Sequence, residues 1–156
     1  MSRRIRGGET CAIARTVDVL RDPWSFLVLR EAFGGVTRFA DFRDALSIAS
    51  DVLADRLAAL VAAGILRRET YQDEGSRPRA DYHLTAAGFD LLPVIGALQQ
   101  WGDRHLPDHR GPTVVRRRVG SDEPLDVAFV DHHGHRVDLD EVTFERTAAY
   151  PNPRRA

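Results

Sequence analysis

The run Trp24-Ser-Phe-Leu-Val-Leu-Arg-Glu-Ala-Phe33 constrains this chain more than any other segment. Asp22-Pro23 opens it, with Asp as a helix N-cap and Pro at the first helical position, where a backbone N–H is not needed. Gly34-Gly35 closes it. Apart from Ser25, Arg30 and Glu31, the run is apolar on nearly every side. Such a helix has no solvent face and belongs in the middle of a core, so the remaining elements must wrap it.

Those elements can be read in order. Ile13, Val17 and Leu20 share one face of a helix over roughly 11–21, which Thr10 can cap, behind a polar, Gly-rich flexible arm at 1–10. Val36 to Phe39 is long enough only for a strand stub or the start of a helix. A third helix over about 39–46 uses Phe39, Phe42 and Leu46, and Ser47 to Ser50 forms a turn with capping residues. A fourth helix over about 50–63 carries the stripe Val52, Leu53, Leu57, Leu60 and Val61, and Gly64 ends it. The period then changes from 3.6 to 2. Ile65 to Tyr71 alternates, Asp81 to Leu84 returns beside it, and the polar loop Gln72 to Ala80 makes a hairpin with a basic tip. Thr85 caps a long helix to about Leu106, bent at Pro93 but continuous in its stripe Leu91, Val94, Ile95, Leu98 and Trp101.

After Pro107 the texture changes. Val114 to Val119, Leu125 to Val130 and Arg136 to Val142 alternate or are β-branched, with turns at Gly120-Ser121-Asp122 and His133-Gly134. The expected fold is mainly α with small β: a winged helix-turn-helix core over 11–107, a small β-rich C-terminal extension over 108–150, and a disordered tail over 151–156.

Composition mostly removes alternatives. No stretch of about 18 apolar residues exists, so a membrane span is not expected. The basic N-terminus lacks the apolar run of a signal peptide, and the single Cys11 fits a reducing, cytoplasmic setting. The net charge of −1 leaves nucleic-acid binding undecided, although all 22 basic residues are Arg. The chain has no phosphate-cradling glycine loop, no activated Ser or Cys constellation and no His-Glu metal signature, so an enzyme is not expected. Asp131-His132-His133-Gly134-His135 could bring two imidazoles together, but it lacks the Cys or fourth ligand a zinc site prefers. A solvated turn is expected there, with no metal and no cofactor.

The order of elements points to double-stranded DNA. A major groove admits one α-helix, whose N-terminal end meets base edges while its apolar side stays in the core. The fourth helix has that polarity: Ser50 and Asp51, with Ala54 and Asp55, can face outward. Arg56 suits a phosphate or a guanine edge, or a surface pair on its own helix. Arg77 and Arg79 can enter the adjacent minor groove or hold its phosphates, or merely keep the loop soluble. Arg38 and Arg43 flank the supporting helix. Asp51 and Asp55 would repel phosphate; they can instead accept from cytosine amino groups or orient Arg56.

Five blocks carry a family resemblance. They are Cys11–Leu20 with Trp24 and Leu27–Glu31, Gly35–Arg43, Leu53–Leu66, Arg77–Gly88, and Leu92–Ile95 with Leu98 and Trp101-Gly102. Together they resemble the HxlR-type, MarR-like winged helix-turn-helix regulators of bacteria. The resemblance implies a homodimer formed largely by the first and last helices, with two recognition helices on a pseudo-palindromic operator; repression is the default expectation, since a dimer over a promoter blocks polymerase by occupancy. It puts Ser50, Asp51 and Arg56 on the recognition helix, Arg77 and Arg79 on the wing, and Arg38 beside the backbone-contacting elements. It also favours a continuing helix through Pro93. Ser47-Ile-Ala-Ser50 lacks the glycine often seen before that helix. Cys11 sits where several members place a redox-sensing thiol; the other reading is a small packing residue near the dimer seam. An alternative input is a small molecule bound between the dimer helices or against the C-terminal extension, where Trp24, Phe89 and Trp101 are candidate lining residues.

Overall fold

A computed structural model describes residues 11–71 and 79–150. Within them the chain forms two compact units: 11–91 together with 148–150, and Leu92–Thr147.

The first unit contains helices α1 (Ala12–Leu20), α2 (Pro23–Phe33), α3 (Phe39–Leu46) and α4 (Ser50–Ala62), strands β1 (Leu66–Tyr71) and β2 (Arg79–Leu84), and the short helix α5 (Ala86–Phe89). The expected core helix is where its composition requires. Val28 and Leu29 of α2 are fully buried, and α2 packs against α3, α4 and β2. Phe42 and Leu46 of α3, Leu53, Leu57 and Leu60 of α4, and Leu20, Ile48, Ile65 and Leu66 complete the core. The strands pair antiparallel, with Leu66 opposite Leu84 and Tyr71 opposite Arg79. The stub at 36–39 is both of its expected alternatives. The Tyr82 amide donates to the Thr37 carbonyl at 2.8 Å, and Arg38 then caps the start of α3.

Two helix ends close alike. At the end of α4, Ile65 N–H reaches Leu60 O at 3.0 Å and Gly64 N–H reaches Val61 O at 3.0 Å, with Gly64 at φ 71°. At the end of α2, Val36 and Gly35 donate to Glu31 and Ala32. Both are Schellman closures. Between α3 and α4 the same left-handed turn falls on Ser47, at φ 50°, where a side chain is tolerated less well than glycine's hydrogen.

Three expectations are corrected. The single helix over 85–106 is two, α5 and α6 (Leu92–His105), separated by a turn at Asp90-Leu91. Pro93 falls in the first turn of α6, where its missing N–H costs nothing, and so marks a new start rather than a bend. The strands expected over 114–142 are reduced to isolated bridges, Arg117 with Pro124 and Val130 with Arg136, and one 3-10 turn, Leu139–Glu141. Most of their side chains remain exposed, with only Arg116, Val127, Val137 and Val142 half-buried, so little burial rewards a longer ladder. The start of α4 is capped by Ala49 without a side-chain bond, not by Ser50. Thr10, the arm at 1–10, most of the wing loop and the tail at 151–156 lie outside the described residues.

The second unit is built on α6. Gly96 is buried, and a Cβ there would meet Val127 Cγ2 at 3.0 Å. Gln100 holds the same residue like a strand partner: its amide donates to Val127 O at 2.9 Å and accepts from Val127 N at 2.8 Å. Gln99 donates to Val114 O, and Arg116 Nε to Leu125 O. Positions 96, 99, 100 and 103 share one face of α6, and the extension lies on that face. On another face, Val94, Leu98 and Trp101 are exposed.

Candidate nucleic-acid interface

The site begins with how α4 is divided. Leu53, Leu57 and Leu60 face the core, and Val52, Arg56 and Val61 are half-buried at its borders. Ser50, Asp51, Ala54, Asp55 and Ala58 face outward. This is the polarity expected from sequence, with Ile48, 5% exposed, pinning the preceding turn to the core. Asp51 lies in the first turn, where a negative charge is favoured by the helix dipole.

Exposed arginines stand on other elements of the first unit. Arg38 is exposed at the start of α3, and its backbone bridges to Asp81 on β2. Arg43 is exposed on α3, its guanidinium resting on Asp44 at 2.9 and 3.0 Å. This pair is solvent-exposed on both sides, 46% and 69%, and such a pair is worth little. Arg79 is exposed at the start of β2. Arg77 lies outside the described residues. Arg67 and Arg68, exposed on β1, are further cations of the wing. Arg67 pairs with Glu69 on its own strand, and Glu69 also lies 3.4 Å from His83. Their place in a strand of alternating residues, rather than at a loop tip or helix start, gave no signal of a DNA contact.

Arg56 is placed differently. Its Nη1 donates to Oδ2 of Asp22, a residue 34 positions away. Neither Asp51 nor Asp55 orients it, and it does not form the i,i+4 surface pair that local spacing suggests. Nothing local in the sequence signals this contact: Asp22 announces only a helix cap. Among the described residues, the outward face of α4 therefore carries acids, a hydroxyl and alanine methyls, while the cations come from α3 and the wing.

The wing is rooted by Thr85. Its hydroxyl donates to Gly64 O at 2.6 Å and accepts from Gly88 N–H at 3.1 Å. Its own amide donates to Ile65 O at 3.0 Å. Gly88 is needed for the same closure, since a Cβ would sit 2.3 Å from Ile65 O.

The other candidate residues are dispersed. Cys11 is half-buried at the N-cap of α1. A groove of about 280 Å³ is lined by Ala12, Arg15, Thr16, Val19, Leu20, Ile65, Ala87 and Leu91. None of the three candidate aromatics lines it: Phe89 meets Phe33 edge-on at 6.2 Å, Trp101 lies 5.1 Å from His105, and Trp24 is half-buried at the start of α2. The His132 and His133 rings lie 3.8 Å apart, yet among the described residues no group of three ligands is gathered for a metal. No described helix is long and apolar enough to cross a membrane. After α6, the Arg110 guanidinium beside exposed Asp108 holds that carboxyl below its usual range, and Asp108 in turn raises Arg110.

Comparison with known proteins matches this architecture. The model of the HxlR-like helix-turn-helix family matches residues 19–110. The HTH-type transcriptional regulator Rv3095 of Mycobacterium tuberculosis is 35% identical over 146 residues, 93% of this chain and 89% of the relative. The crystal structure of PA1607, a candidate transcription factor, superposes with a TM-score of 0.75 at 31% identity, covering 88% of this chain and 95% of that one. The redox regulator HypR in its reduced form superposes with a TM-score of 0.55 at 30% identity, covering 62% of this chain and 96% of that one. The longer matches reach into the C-terminal extension, beyond the span of the family model. The family and these relatives are transcriptional regulators rather than enzymes, and this chain belongs to the HxlR-like helix-turn-helix family.

Proposed function

We propose that the protein is a cytoplasmic homodimeric repressor that places α4 in the major groove of a pseudo-palindromic operator and the wing, 72–80, on the adjacent minor groove or backbone. The observation that carries this reading is the sorting of charge and polarity. The start of α4 is outward-facing and bears short polar and methyl groups, whereas exposed arginines stand on α3 and the wing. Phosphate contacts position and base contacts specify. Arg38, Arg43, Arg77 and Arg79 take the phosphates or the minor groove. Ser50, Asp51 and Asp55 meet base edges, the carboxylates accepting from cytosine amino groups, while Ala54 and Ala58 suit thymine methyls. Dimerisation is supported by the exposed apolar residues of α1, Ile13 and Val17, and of α6, Val94, Leu98 and Trp101.

The test is fluorescence anisotropy on DNA from upstream of the protein's own gene, followed by selection from a genomic library. Specific binding at roughly 10–100 nM is expected. Replacing Arg38, Arg43 or Arg79 with Ala should weaken operator and scrambled DNA alike and lower the salt slope by about one each. No selected sequence from the library would sink the reading.

A second reading concerns the signal. Cys11 begins α1, the helix assigned to the dimer seam, and the neighbour HypR is a redox regulator. An oxidant acting on Cys11 would therefore reach the interface directly. The groove beside the same helix offers a small molecule an alternative place. Diamide treatment should release DNA from the wild type and not from Cys11→Ser. Unchanged affinity in both removes the thiol from the mechanism.

A further inference from the structure

Asp22 has two carboxylate oxygens and uses them on two different helices. Oδ1 accepts from the amides of Trp24 at 2.9 Å and Ser25 at 3.3 Å, capping α2. Oδ2 accepts from Arg56 on α4. The pair is largely withdrawn from solvent, with the side chains 28% and 23% exposed. Arg56 stands among Leu53, Leu57 and Leu60, the residues that seat α4 in the core.

Asp22 is itself tightly placed. Arg21 before it has φ 53° and ψ −45°. Arg21 N–H donates to Val17 O at 2.7 Å, and Asp22 N–H donates to Leu20 O at 2.6 Å. That is a γ-turn of the rarer, strained hand, and Pro23 fixes the backbone on the other side. A carboxylate held between a strained turn and a proline is a fixed anchor.

We infer that Arg56 is a positioning residue and not a DNA ligand: with Asp22 it fixes the rotation of α4 about its own axis, and hence which atoms face the bases. The inference rests on reading α4 as the recognition helix. The three core leucines occupy one stripe, and a stripe of aliphatic side chains permits small rotations. A directional bond at the border of the stripe does not. A helix with its side chains is about 10–12 Å across, so a 20° rotation moves its outer atoms by roughly 2 Å. That exceeds the whole range over which a hydrogen bond forms. The acids and alanines of the outward face are short, and they cannot reach after a base that has moved. A recognition face built from Ser50, Asp51, Ala54 and Asp55 therefore depends on how the helix is set.

The experiment compares Asp22→Ser, Asp22→Asn and Arg56→Gln, singly and as the Asp22→Ser/Arg56→Gln pair, on the selected operator and on scrambled DNA across a salt series. Ser and Asn retain an oxygen that caps α2, so the fold survives while Arg56 loses its carboxylate. Circular dichroism sets a temperature at which every variant is folded. Each single variant should bind the operator about tenfold more weakly, about 1.4 kcal/mol. Scrambled-DNA affinity and the salt slope should stay as in the wild type. The double variant should be no weaker than either single, since both remove one interaction. If the Asp22 variants bind like the wild type while Arg56→Gln loses affinity and about one unit of salt slope, Arg56 touches DNA and the inference is overturned. A wild type that selects no DNA overturns the regulator reading itself, and this inference with it. A wild type that binds beside unaffected Asp22 variants overturns only the inference.

Discussion

The two units of this protein are held together by different physics. Every large side chain that is fully buried among the described residues lies in the first unit: Leu20, Val28, Leu29, Phe42, Leu53, Leu57, Leu60 and Leu66. In Leu92–Thr147 the only buried residue is Gly96, and Leu98, Trp101, Phe129, Leu139 and Phe144 are exposed. The first unit is organised by apolar burial around α2. The second is organised by side-chain amides and an arginine binding backbone carbonyls, with Gln100 as the main clasp. Burial is cooperative and forgiving of exact geometry. A polar clasp is local and directional, and its loss is felt only where it acts.

Substitutions can break this contrast. The largest effect is expected from Phe42→Ala, which empties the centre of the first unit and should cost about 3–5 kcal/mol in urea unfolding. A loss under about 1 kcal/mol would mean that the core relaxes into the space, and the contrast would weaken. Next is Gly88→Ala, whose added methyl meets the Ile65 carbonyl. Forcing α5 off the base of β1 should cost about 2 kcal/mol, read in thermal unfolding. Gln100→Ala should cost about 1 kcal/mol, and it should do so selectively. Amide exchange should quicken at Val127 and its neighbours while the amides of α2 and α4 keep their protection. Equal acceleration in both units would show that they unfold as one. Last is Ser47→Gly, which relieves a left-handed φ and should stabilise by about 0.5 kcal/mol, since glycine's greater unfolded-state entropy offsets part of the gain.

The same contrast explains which parts were legible in the sequence. The stripes Leu53–Leu57–Leu60 and Phe42–Leu46, the stops at Gly34-Gly35 and Gly64, and the change of period at Ile65 are local signals, and they put α2, α3, α4 and β1 where they stand. The helix around Pro93 misled because its apolar stripe is continuous, whereas the backbone obeys the proline. The extension misled because alternation marks a strand only when another layer buries one of its faces. At the interface, the outward polarity of Ser50 and Asp51 follows from helical spacing. The partner of Arg56 does not, because it is set by how α2 packs on α4 and lies 34 residues upstream.

Thr85 ties the end of β2 to Gly64 and Ile65, and the bond from Tyr82 to Thr37 secures the same root to the start of α3. These bonds fix the hairpin at its root, where β1 and β2 meet the helices. Residues added to the segment that joins β1 to β2 should cost mainly loop closure, at about 0.6 kcal/mol for each doubling of its length. The length of the hairpin can thus change while α4 keeps its seat, whereas its charge is tied to the DNA contacts proposed for Arg77 and Arg79.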